Sequence, residues 1–386
     1  MPFYSILREI FLTTIFIPII TLFSYGFLLL YYNNKTNNNH NNELMIYPQI
    51  SILIPTHNEE RIIEKRIENI YNSEYPLDKI KIIFIDDSSD STTELLQKHV
   101  DIQPNFELIR FDERMGYSIA IQAGIKASNT DIIVLNEAGS FPRPDALFNL
   151  ISNFENQDIG AVTARSEILN TDEKIGQIEL LYLKIVNFIR KAESNMDSTF
   201  YIKGESTAYR RELVEDITAV ENTGSIDTSM AFWVRKKGYK VIYDQNVIFD
   251  EYAPNDDSGY IKQKTVRAAN WMRNLIIFKD MILNSKYGKF GMFTLPFNTL
   301  VLFIFPLLPF VALLSMVIGL IYDTAYFLFY LYSAIGIIII LSLLSRKLII
   351  LLIQLEISLL KAIYQIFVSR VGHDKIERVE STRRTI

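Results

Sequence analysis

The chain has no cysteine in its 386 residues. That absence excludes a disulfide framework, a zinc–thiolate site and a cysteine nucleophile. Histidine is scarce as well. The four residues, His40, His57, His99 and His373, are scattered too widely for a histidine metal cluster. Positive charge is not in excess: 39 Lys and Arg stand against 44 Asp and Glu, a net charge of −5. This leaves no electrostatic footprint for nucleic acid. No Gly-x-Gly-x-x-Gly or Gly-Lys-Ser loop follows the first strand-like segment, so dinucleotide and P-loop readings are poorly supported. What the chain does have is apolar sequence, 49% of its residues. Mean hydropathy is +0.14, and the excess sits at the two ends. That excludes a simple cytosolic enzyme and a disordered chain. At about 150 residues per domain, the length suggests two or three structural units.

Residues 10–32 carry no charge and exceed the roughly 20 residues that cross a hydrocarbon core. They are too long for a signal-peptide core and read as a signal anchor. The expected organisation is an anchor over 1–32, an Asn-rich linker over 33–48 and a cytoplasmic domain over 49–284. A membrane region of two or three helices follows over 285–369, and a basic tail over 370–386. Within the membrane region the apolar runs are 294–322, with Pro296, Pro306 and Pro309 expected to kink or break it, then 325–344 and 348–368. The last contains Gln354, Glu356 and Lys361. It either spans with these groups turned to other helices or lies in the interface. Arg273, Lys279, Lys286 and Lys289 precede the second run, whereas only Arg8 precedes the first. The positive-inside rule then puts the N-terminus outside and the central domain in the cytoplasm, and the expected location is the plasma membrane. The basic tail also prefers the inside, which favours an interfacial last segment.

The central domain opens with alternating strand and helix patterns. Strands are expected over 49–54, 81–85, 107–110 and 131–135, and helices over 59–71, 91–99 and 119–127. This rhythm predicts an α/β fold with a mostly parallel sheet, Rossmann-like, covered on both faces. Ligands bind at the carboxyl ends of such strands. Those ends read Pro55-Thr56-His57-Asn58-Glu59, Asp86-Asp87-Ser88-Ser89-Asp90 and Asn136-Glu137-Ala138-Gly139-Ser140, and each carries a carboxylate.

The segments SILIPTHNEE, IIFIDDSSDST and RMGYSIAIQAGIKASNTDIIVLNEAGSFPRPDAL, followed by GESTAYRREL, SIDTSMAFWVRKKGYKVIYDQNVIFDE and KQKTVRAANW, resemble family 2 glycosyltransferases. Their order matches the membrane-embedded branch with cellulose and hyaluronan synthases, and the resemblance runs from about residue 50 to 271. It implies a GT-A nucleotide-sugar-binding fold, with a nucleotide-binding half over 49–165 and an acceptor half with an interfacial helix over 166–284. It also implies a nucleotide-sugar donor and inversion at the anomeric carbon. Pro55, His57, Glu59, Asp86 and Asp87 would hold base and ribose, since a carboxylate there accepts from a base N–H or a hydroxyl. Turn and N-cap duty is the alternative for Asp86, Asp87 and Asp90. Asp227 matches the catalytic base, or else caps a helix over 228–237. Gly204, Ser206 and Arg210 match the acceptor-site strand and turn. Gln263 and Arg267 match a Gln-x-x-Arg-Trp element with one residue inserted. Arg267 would stabilise the leaving diphosphate, and Trp271, at i+4, would share its helix face toward the acceptor. A basic amphipathic helix resting on anionic headgroups is the competing reading for this segment. Tyr182 and Phe188 read as packing residues.

Three positions depart from the family pattern. Glu137-Ala138-Gly139 stands where the family has Asp-x-Asp, so Mg²⁺ or Mn²⁺ on the donor would keep one protein ligand, Glu137, or none. Tyr117 replaces a Lys, and Ile226 replaces the Glu before the catalytic Asp. Two functions therefore stand side by side. The first is a membrane-bound inverting glycosyltransferase acting on a lipid-linked or saccharide acceptor at the cytoplasmic face. The second is a catalytically impaired glycosyltransferase-like subunit, a binding or assembly component of a membrane glycan complex. Transfer to a polyprenyl phosphate is a variant of the first. The expected partners are the donor, the acceptor and membrane lipid, with an oligomer or complex possible and no nucleic acid. So few helices predict a short product, because a polymer channel needs more of them.

Overall fold

The computed structural model describes residues 3–35, 47–217, 225–322 and 345–369, with 328, 331–336, 338, 339 and 343. Most of the Asn-rich linker, half of the apolar run 325–344 and the basic tail lie outside the described residues.

Helix α1 (Phe3–Asn33) extends the first apolar run toward the N-terminus and contains Pro18. The alternating region then forms β1 (Ile50–Thr56), α2 (Ile63–Tyr71), β2 (Ile80–Asp86), α3 (Thr92–Val100), β3 (Phe106–Arg110), α4 (Tyr117–Ala127) and β4 (Ile132–Asn136). β1, β2 and β4 are rich in β-branched residues and almost wholly buried, as a sheet covered on both faces requires, while β3 at the sheet edge is only partly buried. Successive side chains point to opposite faces. Leu53, Ile83, Ile85, Ile133 and Leu135 join one core with α4 residues Ile121 and Ile125. Ile52, Ile54, Ile82, Phe84 and Val134 join the other with Ile63, Ile67 and Ile70 of α2. Each such side chain contributes about 2 kcal/mol of burial.

The chain continues as β5 (Phe141–Pro142), α5 (Ala146–Ser152), β6 (Ile159–Ile168), α6 (Lys174–Met196), β7 (Ser206–Arg210), α7 (Ile226–Lys236), β8 (Lys240–Glu251) and α8 (Asp257–Ile277). One eight-stranded sheet results, in the order β3-β2-β1-β4-β7-β6-β8-β5. β1 to β4 pair in parallel, as the sequence predicts. The second half is mixed: β7 enters antiparallel between β4 and β6, β8 runs parallel to β6, and β5 is antiparallel to β8. Strand order reverses at β1, with β2 on one side and β4 on the other, which opens a crevice at the strand ends.

A helical run from Phe290 to Gly319 follows. It includes α9 (Leu295–Thr299) and most of α10 (Leu308–Tyr322). The prolines do not break it. π-helical turns at Phe290–Thr294 and Leu300–Ile304 flank Pro296 and precede Pro306, absorbing the missing donors. The last described helix is α11 (Arg346–Tyr364). Among the described residues, three helices are long and apolar enough to cross a membrane: Ile6–Asn33, Phe290–Gly319 and Arg346–Val368. α1 meets α6, where Tyr25 donates to Glu193 Oε1 at 2.7 Å and stacks on Phe297 at 3.7 Å. α11 lies against α8, with Gln354 donating to Asp257 Oδ1 at 2.7 Å and Ser358 to the Ile261 carbonyl at 3.3 Å.

Candidate active site

The loops after β1 and β2 form one hydrogen-bonded unit. Asp86 ends β2 between Thr56 and Arg110 in the register of the sheet. It is fully buried. Its Oδ1 accepts from Thr56 (2.8 Å) and Ser88 (2.5 Å), and its Oδ2 from Thr93 (2.5 Å) and Arg110 (3.0 Å). These bonds occupy both carboxylate oxygens, so Asp86 organises the loop. Asp87 is half-buried and faces the crevice. His57 Nδ1 donates to its Oδ1 at 2.8 Å, and the N–H groups of Met115 and Gly116 to its Oδ2 at 2.9 and 3.3 Å. Asp87 thereby ties the β1 loop to the turn that starts α4. Asn58 adopts φ 55°, a left-handed conformation that Asn tolerates. Its N–H donates to Ser88 and its Oδ1 accepts from Ser89, both at 2.8 Å. Sequence reasoning missed this residue, although an Asn just after a strand is its signal. Pro55 and Glu59 are half-buried beside His57. Glu59 starts the helical turn, its carbonyl accepting from Ile62 and Ile63 and its N–H donating to Thr92.

On the acceptor side a cavity of about 70 Å³ lies between α6, the segment 201–205, the start of α7 and α8. That is room for several waters or a polar substituent. Asp227 lines it, in the first turn of α7, with Ser225 rather than Asp227 preceding the helix. Ser225 donates to Asp227 Oδ1, and Tyr209 to the Asp227 carbonyl at 2.9 Å. Burial raises the Asp227 carboxyl above its ordinary range. The hydrogen bonds from Ser225 and the Thr228 N–H oppose that rise, and the Glu205 charge adds to it. Such a carboxylate suits a general base. Gly204 lies against it. A Cβ there would be 2.8 Å from Asp227 Oδ2 and 2.9 Å from the Tyr117 hydroxyl.

Around this centre runs a buried ionic network. Lys203 meets Glu205 at 3.2 Å and also pairs with Glu251. Arg267 meets Glu205 at 3.4 Å and Glu179 at 4.0 Å. Lys264 closes on Glu179 at 2.7 Å, over the Tyr182 ring at 3.6 Å. Burial works against the Glu205 charge, but Lys203 and Arg267 prevail and lower its pKa to about 2. Lys264 and Arg267 likewise overcome burial to hold Glu179 ionised.

The structure brings Asp227, Gly204, Arg267 and Trp271 to one cavity. Trp271 packs edge-on to Tyr201 at 5.0 Å, on the helix face it shares with Arg267. Lys264 and Arg267 turn into the protein, so they do not form a face on headgroups. Gln263, a turn earlier, buries its Oε1 with no hydrogen-bond partner and does not line the cavity. Two of the expected acceptor residues lie apart from this cavity. Ser206 is fully buried opposite Asn136, behind the cavity wall. Arg210 sits at the other end of β7, opposite Ile132. It donates to the carbonyls of Ile159 (2.9 Å), Phe154 (2.7 Å) and Asn156 (3.2 Å). The extended length of β7 separates it from Gly204. Tyr182, expected only to pack, lines the cavity, as do Lys203 and Glu205, which motif matching passed over. Phe188 packs near α1, as expected.

Glu137 follows β4, half-buried. Among the described residues no three His, Asp or Glu side chains converge to hold a metal. The donor set therefore does not make a metal cage of the protein's own. A divalent cation at Glu137 would draw its remaining oxygens from diphosphate and water.

A model of glycosyl transferase family 2 matches residues 51–218. Among curated proteins, the poly-beta-1,6-N-acetyl-D-glucosamine synthase of Staphylococcus aureus (strain COL) is 26% identical over 257 residues. That alignment covers 65% of this chain and 61% of the synthase. The synthase of Staphylococcus epidermidis is 26% identical over 255 residues, 64% of this chain and 60% of its own length. Among solved structures, the mannosyltransferase PcManGT of Pyrobaculum calidifontis, in complex with GDP-Man and Mn²⁺, superposes with a TM-score of 0.75 at 21% identity. It covers 95% of this chain and all of its own, so the two share a fold. The sheet is GT-A-like, and residues 51–218 are a family 2 glycosyltransferase domain.

Proposed function

We propose that the chain is a membrane-anchored inverting glycosyltransferase that moves one sugar from a nucleotide-sugar donor to a lipid-linked or saccharide acceptor at the cytoplasmic face. The observation that carries this is the half-buried Asp227 carboxylate, lining one cavity with Arg267 and Trp271. In the reaction an acceptor hydroxyl attacks the anomeric carbon from the face opposite the diphosphate. Its proton passes to Asp227, the bond from the anomeric carbon to the phosphate oxygen breaks, and the nucleoside diphosphate leaves. Arg267 offsets the charge that develops on the diphosphate. His57, Asp87 and the loop around Asn58 border the nucleotide, with Pro55 and Glu59 beside them. Trp271, Tyr201 and Tyr182 offer ring faces to the acceptor. Glu137 would hold a bound Mn²⁺ or Mg²⁺, which would supply positive charge against the donor diphosphate.

The relatives make polymers of N-acetylglucosamine and the fold neighbour binds GDP-Man, so these two activated sugars head the donor panel. The test is transfer and donor hydrolysis by detergent-purified protein with Mn²⁺, with Mg²⁺ and with EDTA. Asp227→Asn is expected to lose at least about 100-fold in rate. Equal rates for wild type and Asp227→Asn with every donor would favour the other reading, a binding or assembly subunit, which Gly139 and Tyr117 would then explain.

A further inference from the structure

The family pattern has a Glu before the catalytic Asp, and this chain has Ile226. That side chain is 1% exposed and belongs to the core. A carboxylate at 226 would be stranded among apolar groups. The missing charge arrives from the facing wall. Glu205 lines the same cavity as Asp227. The turn that carries it is pressed on Asp227, so closely that a Cβ at Gly204 would overlap the carboxylate. Asn136 Nδ2 donates to the Glu205 carbonyl at 2.8 Å, and β7 starts at the next residue. The main chain is therefore fixed at both ends. The side chain is fixed too, between Lys203 and Arg267.

We propose that Glu205 is the second acidic residue of this centre, supplying from the β7 turn the carboxylate that position 226 lacks. It is a positioning residue. It holds Arg267 toward the leaving diphosphate and keeps a negative charge beside the base. This rests on Asp227 being that base. The titratable and charged groups around Asp227 are Glu205, Lys203, Arg190 and Arg267 across the cavity with Tyr182 and Tyr201, Tyr117 from α4 and Tyr209 from β7. Of the four charged side chains, Glu205, Lys203, Arg190 and Arg267, Glu205 is the one whose charge disfavours ionisation of Asp227. Its removal, which also frees the two cations, must ease ionisation.

The test is the pH–rate profile of transfer for wild type, Glu205→Gln, Glu205→Asp and Asp227→Asn, with melting curves for each. Glu205→Gln is expected to lower kcat/KM about 10- to 100-fold through misplaced Arg267. It should also move the acid limb to lower pH by about one unit. Glu205→Asp keeps the charge, so its limb should stay at the wild-type pH while kcat falls. Rate loss in Glu205→Gln with an unmoved limb would reduce Glu205 to a structural role and overturn the proposal. Wild-type rate and limb would overturn it as well. If Glu205→Gln shows no cooperative melt, Glu205→Asp decides: reduced kcat at an unchanged Tm and limb supports the proposal, and unchanged kcat refutes it. Full activity in Asp227→Asn would instead refute the base assignment.

Discussion

At Gly204 the main chain passes so near Asp227 that even a methyl group has no room. A Cβ would stand 2.8 Å from Oδ2 of a carboxylate that Ser225 already fixes from the other side. Gly204→Ala must push the base or the Tyr117 hydroxyl away. It is expected to cut kcat about 10- to 100-fold while Tm moves little, because the strain falls on movable side-chain ends. Wild-type kcat in Gly204→Ala would show that Asp227 has slack. Residues such as Gly204, Asp227, Arg267 and Trp271 were legible because a motif fixes residue type at a position in the chain. Asp86 and Ser206 were not, because whether an oxygen faces a crevice or a ring of donors depends on packing. Arg210 failed for a simpler reason: it lies at the far end of β7, and an extended strand carries it away from Gly204. Glu205 was hidden because, Lys203 aside, its side chain is held by Arg267, 62 residues away, and no local spacing reports that.

Among the elements, β1 to β4 could be read to within about two residues, since continuous β-branched runs between polar turns leave few alternatives. The order of β5 to β8 could not be read, because β7 inserts antiparallel between strands that precede it. Nor could the joint between α1 and α6, which rests on one buried acid. Glu193 accepts from Tyr25 at 2.7 Å, from the Phe200 N–H at 2.9 Å and from Thr199 at 3.2 Å. Burial pushes its pKa from 4.5 up to about 7, against these hydrogen bonds. The sign follows from linkage. The folded protein holds this proton more tightly than the unfolded chain, so its contribution is complete below pH 4.5 and is lost as pH rises through about 7. The loss is about 3 kcal/mol. Wild type should therefore melt at a lower temperature at pH 8 than at pH 5, and Glu193→Gln should flatten the difference. An equal pH dependence in the variant would rule Glu193 out as its source.

At the scale of the whole molecule the open matter is how the last helix meets the bilayer. Length and composition allow Arg346–Val368 to span. Its contacts argue otherwise. Gln354, near the middle of that segment, donates to Asp257, which is half exposed and pairs with Lys174 at 3.1 Å. A spanning helix would carry its midpoint, and with it this charged pair, to the bilayer centre at a cost of several kcal/mol. Laid in the interface, α11 keeps the pair in water. Leu351, Gln354 and Ser358 then face α8, while Leu352, Ile353 and Ile357 remain exposed for lipid. This agrees with the basic tail preferring the same side as the domain. The absence of native cysteine makes depth measurable directly, with single nitroxide-labelled cysteines at Leu352, Ile357, Tyr364 and Val368 in proteoliposomes. An interfacial helix should place all four at nearly one shallow depth. A spanning helix would spread the end positions by about 24 Å, at 1.5 Å per residue. A graded series of depths would therefore refute the interfacial placement and require the charged pair to move with the helix or to break.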